Sequence, residues 1–245
     1  MASAHAAEWR KAEQEEYDSL TSMGTWRLEL LPPGRTAISC KWVYKVKQNP
    51  DSTVSRFKAR LVARGFTQIE GLDYEETFAP TARFVTTRMI FSLACGLHWP
   101  LEQVDVDTAF LNAFVKEEIY MEQPPGFVSD SQPDHVCRLI RSIYGLKQSP
   151  FNWNEEATDY IVKDMGFTRR FTNPSSFVKT DAQGLKCILA VYVDDIVITA
   201  RTQDCLNYVK HQLQQKYKIK ELGLTSWILG IAVERDLERK TILLH

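Results

Sequence analysis

The chain has 245 residues, 44% of them apolar, enough for one large or two small packed domains, and its 30 Lys and Arg against 31 Asp and Glu leave a formal charge of −1. Five scattered cysteines and five histidines without ligand spacing argue against a disulfide scaffold and a His/Cys metal site. No apolar run is long enough to span a bilayer and no signal segment opens the chain, so a soluble, intracellular protein with no membrane partner is expected.

Residues 8–23 read as a peripheral helix, with Trp9, Ala12, Leu20 and Met23 on a thin apolar stripe. Gly24 to Pro33 reads as a turn-rich connection. A hairpin follows: Lys41–Lys47 alternates charge with bulk, Asn49-Pro50-Asp51-Ser52 is turn chemistry, and Phe57–Arg64 returns with the same alternation. Period-two spacing puts Lys45 with Lys47, and Lys58 with Arg60, on common faces. From Arg35 to Arg64 there are eight Lys or Arg against one acid, Asp51. A ribbon with a cationic face suits polyphosphate or a nucleic-acid backbone, and also a strand edge guarded against aggregation.

Residues 86–97 are expected as a helix capped by Thr86, with Met89, Ile90, Leu93 and Ala94 inward, before a strand over Leu101–Asp107. A loop at Pro124-Pro125-Gly126 and a short strand at Val136–Ile140 come next. A helix from about Trp153 to Met165 buries Trp153, Ala157, Tyr160 and Ile161 and ends at Gly166. A hydrophobic hairpin spans Cys187–Thr199, Thr202 caps a helix striped by Leu206, Val209, Leu213 and Tyr217, and Trp227–Val233 reads as one buried strand. This order predicts an α+β fold whose sheet is packed by helices on one face.

The hairpin carries the chemistry. Apolar β-formers run into Tyr192, Asp194 and Asp195 stand side by side, and an apolar run leaves again. Two adjacent carboxylates between buried strands are costly unless a hard divalent cation, Mg²⁺ or Mn²⁺, neutralises them. Asp105, on the strand Leu101–Asp107, is the expected partner. Carboxylates converging from two strands fit two-metal phosphoryl transfer, whose ions sit roughly 3.5–4 Å apart. An Asp105-Val106-Asp107 cation site of the glycosyltransferase kind would leave Asp194 and Asp195 unexplained.

Several longer motifs, in order, then carry a family resemblance: Lys58-Ala59-Arg60-Leu61-Val62-Ala63-Arg64-Gly65-Phe66-Thr67-Gln68, Gly71–Pro80, Gln103-Val104-Asp105 with Thr108–Asn112, Tyr144-Gly145-Leu146-Lys147-Gln148, and Tyr192-Val193-Asp194-Asp195. Over about residues 8–244 the chain resembles the reverse transcriptase domain of copia-type LTR retrotransposon Pol polyproteins. The resemblance implies an RNA-directed DNA polymerase with a right-hand fold, fingers mainly about 35–85 and palm mainly about 86–235. It implies an RNA or DNA template with primer, dNTP substrates, and a cytoplasmic setting, in virus-like particles where an element is active. It gives Asp105, Asp194 and Asp195 as the catalytic, metal-binding triad for two Mg²⁺ ions. Lys58 and Arg60 fall in the fingers hairpin that clamps the triphosphate, and Ala109 and Phe110 lie at the nucleotide, Phe110 as the aromatic gate that crowds a ribose 2′-hydroxyl. Gln148 matches a polar nucleotide contact, Lys220 a lysine near the leaving pyrophosphate, and Leu229 with Gly230 the primer grip.

The chain departs from the family pattern at Asp107, where lysine is common, and at Ala113, where glycine is common and a positive φ is implied. Ser149–Asn154 lacks the usual arginine and aromatic residue after Pro150, and Ala82 replaces a typical valine. Met1 to Ala7 reads as an arbitrary start, and no connection, RNase H, protease or integrase region, the remaining Pol parts, is read in the sequence. Alongside a working polymerase domain stands a second reading: a truncated, catalytically inactive remnant that folds and at most binds nucleic acid.

Overall fold

The computed structural model describes residues 5–49, 51–236 and 238–245; Met1–Ala4 of the expected start and Pro50 of the expected turn lie outside them. In chain order the elements are α1 (Ala6–Ser22), β1 (Trp26–Leu30), β2 (Cys40–Gln48), β3 (Val54–Ala63), α2 (Phe84–Gly96), β4 (Leu101–Val106), β5 (Tyr120–Met121), β6 (His135–Leu139) and α3 (Ser149–Asp159). They continue as β7 (Thr168–Arg170), β8 (Asn173–Asp181), β9 (Gly184–Tyr192), β10 (Asp195–Ala200), α4 (Gln203–Lys216), β11 (Ile219–Leu224), β12 (Trp227–Ile228), β13 (Ile231–Asp236) and β14 (Thr241–Leu244). The chain folds as two compact units, one of Met1–Phe78 with Phe110–Trp153, the other of Ala79–Ala109 with Asn154–His245.

In the first unit, β1, β6 and β5 form an antiparallel sheet and β2 pairs with β3 as a separate ribbon. The ribbon register sets Lys45 opposite Lys58, Lys47 opposite Arg56 and Val43 opposite Arg60. Alternation therefore gathers Lys41, Lys45, Lys47, Arg56, Lys58 and Arg60 on one face. The other face carries Trp42, Tyr44, Phe57 and Leu61, and α1 lies along it. Trp9 packs edge-on to Tyr44 at 5.1 Å and to Phe57 at 4.6 Å, and the Tyr44 hydroxyl donates to Glu13. The core joins Leu20, Leu61, Ile119, Met121, Cys137 and Ile143. The stretch expected as a turn-rich connection contains strand β1, because Trp26–Leu30 alternates and finds its partner in the distant β6, with Leu30 opposite His135 and Trp26 opposite Leu139.

Two glycines bind the ribbon's base to the Tyr144-Gly145 segment. Ala63 N–H donates to Tyr144 O at 2.8 Å, and Gly65 N–H donates to Gly145 O at 3.2 Å. A Cβ on Gly145, whose φ is +94°, would stand 2.1 Å from Ala63 O, and one on Gly65 would stand 2.1 Å from Gly145 O.

The second unit holds a six-stranded antiparallel sheet in the order β11-β4-β10-β9-β8-β7 and a small sheet of β12, β13 and β14. Ile188, Ala190 and Val197 cluster with Ile90, Phe91 and Ala94 of α2, while the alternate residue Cys187 sets its thiol against Cys205 of α4. Helices thus cover both faces of the sheet, not the one face expected, and this is why β9 and β10 read as continuous apolar runs. Thr202 caps α4 as expected, accepting from Cys205 N–H at 3.2 Å. Helix α2 begins earlier than its spacing suggests, and Thr86 lies inside it, its hydroxyl accepting from Asn173 Nδ2 at 2.6 Å. Its buried face is Thr87, Ile90, Phe91, Ala94 and Cys95, so Met89 and Leu93 stand exposed. The expected strand Trp227–Val233 is split into β12 and β13 by a turn at Leu229-Gly230. Helix α3 starts four residues before Trp153 and closes on a π-turn at Tyr160–Asp164, with Gly166 at φ +70° beyond.

Behind the sheet, Lys210 of α4 donates to Glu102 of β4 at 2.8 Å and to Glu221 of β11 at 2.5 Å. Burial lowers the Lys210 pKa, but the two carboxylates outweigh it and raise it, while the Lys210 hydrogen bond holds Glu221 below its usual range. Lys210→Met is expected to cost about 2 kcal/mol, less than a fully buried pair because Glu221 is half exposed. A carboxylate depressed in the folded state stabilises above its unfolded pKa, about 4.3 for Glu, and loses that contribution as pH falls through the folded value. Urea titrations at pH 7 and pH 3 should therefore show a smaller gap between Lys210→Met and the wild type in acid.

Candidate active site

The antiparallel register of β4 and β10 sets Asp105 directly opposite Asp195. Side chains of such a pair share a face with Cβ atoms about 4.5–5.5 Å apart, and like charges there are unfavourable. Tyr192 pairs with Asp195, leaving Val193-Asp194 as a two-residue turn. Val193 has φ +54°, a conformation usually left to glycine and costly for a β-branched residue. The turn is tied down where Val106 N–H donates to Asp194 O at 2.7 Å. Strain held in place beside a charged cluster is common at functional sites.

The electrostatics follow from this placement. Burial raises the pKa of Asp105 most, and Asp194, Asp195 and Asp107 add to it, with Lys220 opposing. Burial raises Asp195 too, and Asp194 adds to it, against a 2.7 Å hydrogen bond donated by Gln103 Nε2 to Asp195 Oδ1. Among the described residues, no three acidic, His or Cys side chains are drawn together into a chelating group. The donor set itself fits a divalent cation: hard oxygens, partly buried, with too little positive charge among their neighbours to hold the carboxyls in their ordinary range.

Lys220 stands opposite Asp105 on the other side of β4, through the β11 register. Asp107 is paired with Lys218 at 3.3 Å, so the residue that departs from the family pattern has a local partner while its charge still reaches Asp105. A cleft of about 560 Å³ is lined by Gln103, Asp195, Trp227, Leu229 and Gly230, among others. Leu229 (φ +51°) and Gly230 (φ +81°) form the tight turn between β12 and β13, which brings the expected primer grip into the same cleft as Asp195. Ala109 is buried.

In the first unit, Lys58 and Arg60 lie on the cationic face of the ribbon. Burial lowers the Lys58 pKa most, and Arg60 and Arg56 lower it further against the opposing charge of Glu16, so positive charge outweighs negative on this face. The Arg60 guanidinium sits 4.9 Å over the Tyr144 ring, and Phe110 meets Tyr144 edge-on at 4.9 Å. Gln148 is 0% exposed. Its Oε1 accepts from Gln68 at 3.0 Å, and its Nε2 donates to Asp73 O at 2.7 Å and to Glu117 Oε2 at 3.2 Å. The amide expected at the nucleotide is held inside the unit, and Tyr144, four residues earlier, is the side chain that touches Phe110 and Arg60. In the sequence Tyr144 stands only as the first residue of its motif, since a single tyrosine before a glycine carries no local signal of these contacts.

The other departures are accommodated. Ala113 is buried and is not among the residues with positive φ, so no strained turn arises there. Asn152 donates to Ser142 Oγ at 3.0 Å. Asn154 accepts from Arg169 at 3.1 Å and donates to Pro80 O at 3.5 Å, and Ala82 is buried in the core around α2.

Residues 23–245 match the family described as reverse transcriptase (RNA-dependent DNA polymerase). The retrovirus-related Pol polyprotein from transposon TNT 1-94 of Nicotiana tabacum is 39% identical over 92% of this chain and 17% of its own length. That from transposon RE2 of Arabidopsis thaliana is 40% identical over 93% of this chain and 16% of its own. A foamy viral protease–reverse transcriptase solved in complex with double-stranded DNA covers 92% of this chain and 34% of that one, at 13% identity and a TM-score of 0.44. The chain spans about a sixth of the length of these curated relatives. With the family model covering almost the whole sequence and the plant transposon proteins as relatives, the chain belongs to the reverse transcriptase (RNA-dependent DNA polymerase) family, in its copia-type branch.

Proposed function

We propose that this chain extends a primer 3′-end by template-directed nucleotidyl transfer from dNTPs, with the first unit as fingers and the second as palm. The observation that carries the proposal is the register placing Asp105 opposite Asp195, with Asp194 on the strained turn beside them. Asp105, Asp194 and Asp195 would hold two Mg²⁺ ions, or Mn²⁺, which when bound lower the pKa of the primer hydroxyl and offset charge on the triphosphate. Lys58 and Arg60 offer charge-assisted hydrogen bonds to phosphate oxygens. Phe110 presents a rigid ring to the sugar, excluding a 2′-hydroxyl by bulk. Leu229 and Gly230 expose backbone at a tight turn for the primer strand, and Lys220 adds positive charge opposite Asp105.

The test is incorporation on a homopolymer. With poly(rA)–oligo(dT) and Mg²⁺, the protein should add dTTP and not dGTP. Addition that ignores the template, or none, would reject templated polymerisation.

A further inference from the structure

We propose that Tyr144 is a positioning residue for sugar selection, its ring holding both the Phe110 gate and the Arg60 guanidinium. The proposal rests on the polymerase reading given above and deepens it. Tyr144 is half-buried, and two of its ring contacts point to side chains expected at the nucleotide: Phe110 edge-on at 4.9 Å and Arg60 at 4.9 Å over its face. An edge-to-face pair fixes the angle of a phenyl ring better than aliphatic packing does. A guanidinium seated on a ring face is likewise held in one orientation.

The backbone explains why this ring can act as a fixed reference. Tyr144 O accepts from Ala63 N–H at 2.8 Å at the end of β3, the strand that bears Arg60. The next residue, Gly145, admits no side chain against Ala63 O. The ring is thus anchored to the cationic ribbon on one side and to Phe110 on the other. Gln148 has no such freedom to serve, because its amide is wholly engaged with Gln68, Asp73 and Glu117.

Steric rejection of a ribose works only if the gate ring cannot swing away. Without Tyr144, Phe110 gains room on the side away from the sugar, and Arg60 loses the platform that aims it. Both changes fall on the incoming nucleotide, so they should appear in KM and in the choice between sugars, ahead of kcat.

The experiment compares dTTP with UTP incorporation on poly(rA)–oligo(dT) for the wild type, Tyr144→Ala and Tyr144→Phe. Tyr144→Ala should narrow the ratio of the two kcat/KM values by roughly tenfold or more, in the range that loss of a shape contact produces, mainly through KM. Tyr144→Phe keeps the ring and should stay within about threefold of the wild-type ratio. If thermal melting shows that Tyr144→Ala does not fold, Tyr144→Leu replaces it, filling the space without a ring, with the same narrowing expected. A wild-type ratio retained in the Ala or Leu protein overturns the inference while leaving the polymerase reading intact. A wild-type protein that incorporates neither nucleotide defeats both.

Discussion

Asp105→Asn should give a protein that melts at a higher temperature than the wild type in metal-free buffer and no longer extends a primer. The carboxyl it removes is raised in pKa by burial and by Asp194, Asp195 and Asp107. A raised carboxyl makes the folded chain hold protons more tightly than the unfolded one, so stability falls as pH rises from about 3.9 through the folded value, and the cost is fully present above that value. Relieving one like-charge pair across the ladder should give about 1 kcal/mol at pH 7, a few degrees in melting temperature, and nothing below about pH 3. Added Mg²⁺ should raise the wild-type melting temperature more than that of the variant, because ligand binding to the folded state is lost with its carboxylate. Calorimetry across pH, with and without Mg²⁺, checks both statements. A variant no more stable than the wild type at pH 7 would mean that this cluster carries no electrostatic cost.

Gly145→Ala is expected to have the largest structural effect of any single methyl. The residue sits at φ +94°, and its Cβ would lie 2.1 Å from Ala63 O and 2.7 Å from Val62 Cγ1. The left-handed backbone costs an alanine about 1–2 kcal/mol, and overlap with a fixed carbonyl adds about 1–3 kcal/mol. The total is a large part of the roughly 5–15 kcal/mol that holds a protein folded. Denaturant unfolding should show a midpoint shift of that size, or no cooperative transition. Gly145 sits between the Tyr144 ring and the end of β3, so a folded Gly145→Ala protein should also have displaced Arg60 and Phe110. Wild-type stability in this variant would mean that the ribbon does not rest on the Tyr144-Gly145 segment.

The parts of the fold legible in the sequence were those set by a period and a closed local unit. The hairpin around Asp194 was readable because two apolar runs flank a polar pair, and α4 because Thr202 and its stripe mark both start and face. The ribbon's cationic face followed from alternation alone. What tertiary pairing decides was not readable. Strand β1 depends on β6, far along the chain, and the face of α2 turned because Thr87 is drawn in to hydrogen-bond the Tyr192 hydroxyl. The β12–β13 turn was hidden because Leu229 takes a positive φ that its sequence does not announce. In the second unit, Asp105 facing Asp195 is a matter of register, which fits the motif spacing, whereas in the first unit the Phe110–Tyr144–Arg60 stack joins three distant segments. The return of Phe110–Trp153 to the first unit is equally a property of the folded chain.

The most direct test of the central claim is the rate of dTTP addition to oligo(dT) on poly(rA) with Mg²⁺, for the wild type and for Asp194→Asn. Asp194 lies on a turn whose backbone is held by Val106, so the amide should leave the fold and its circular dichroism unchanged. The expected result is measurable extension by the wild type and a loss of at least about a thousandfold in the variant, the equivalent of several kcal/mol of lost transition-state stabilisation. Equal extension by the two proteins would contradict the assignment of Asp105, Asp194 and Asp195 as the catalytic set.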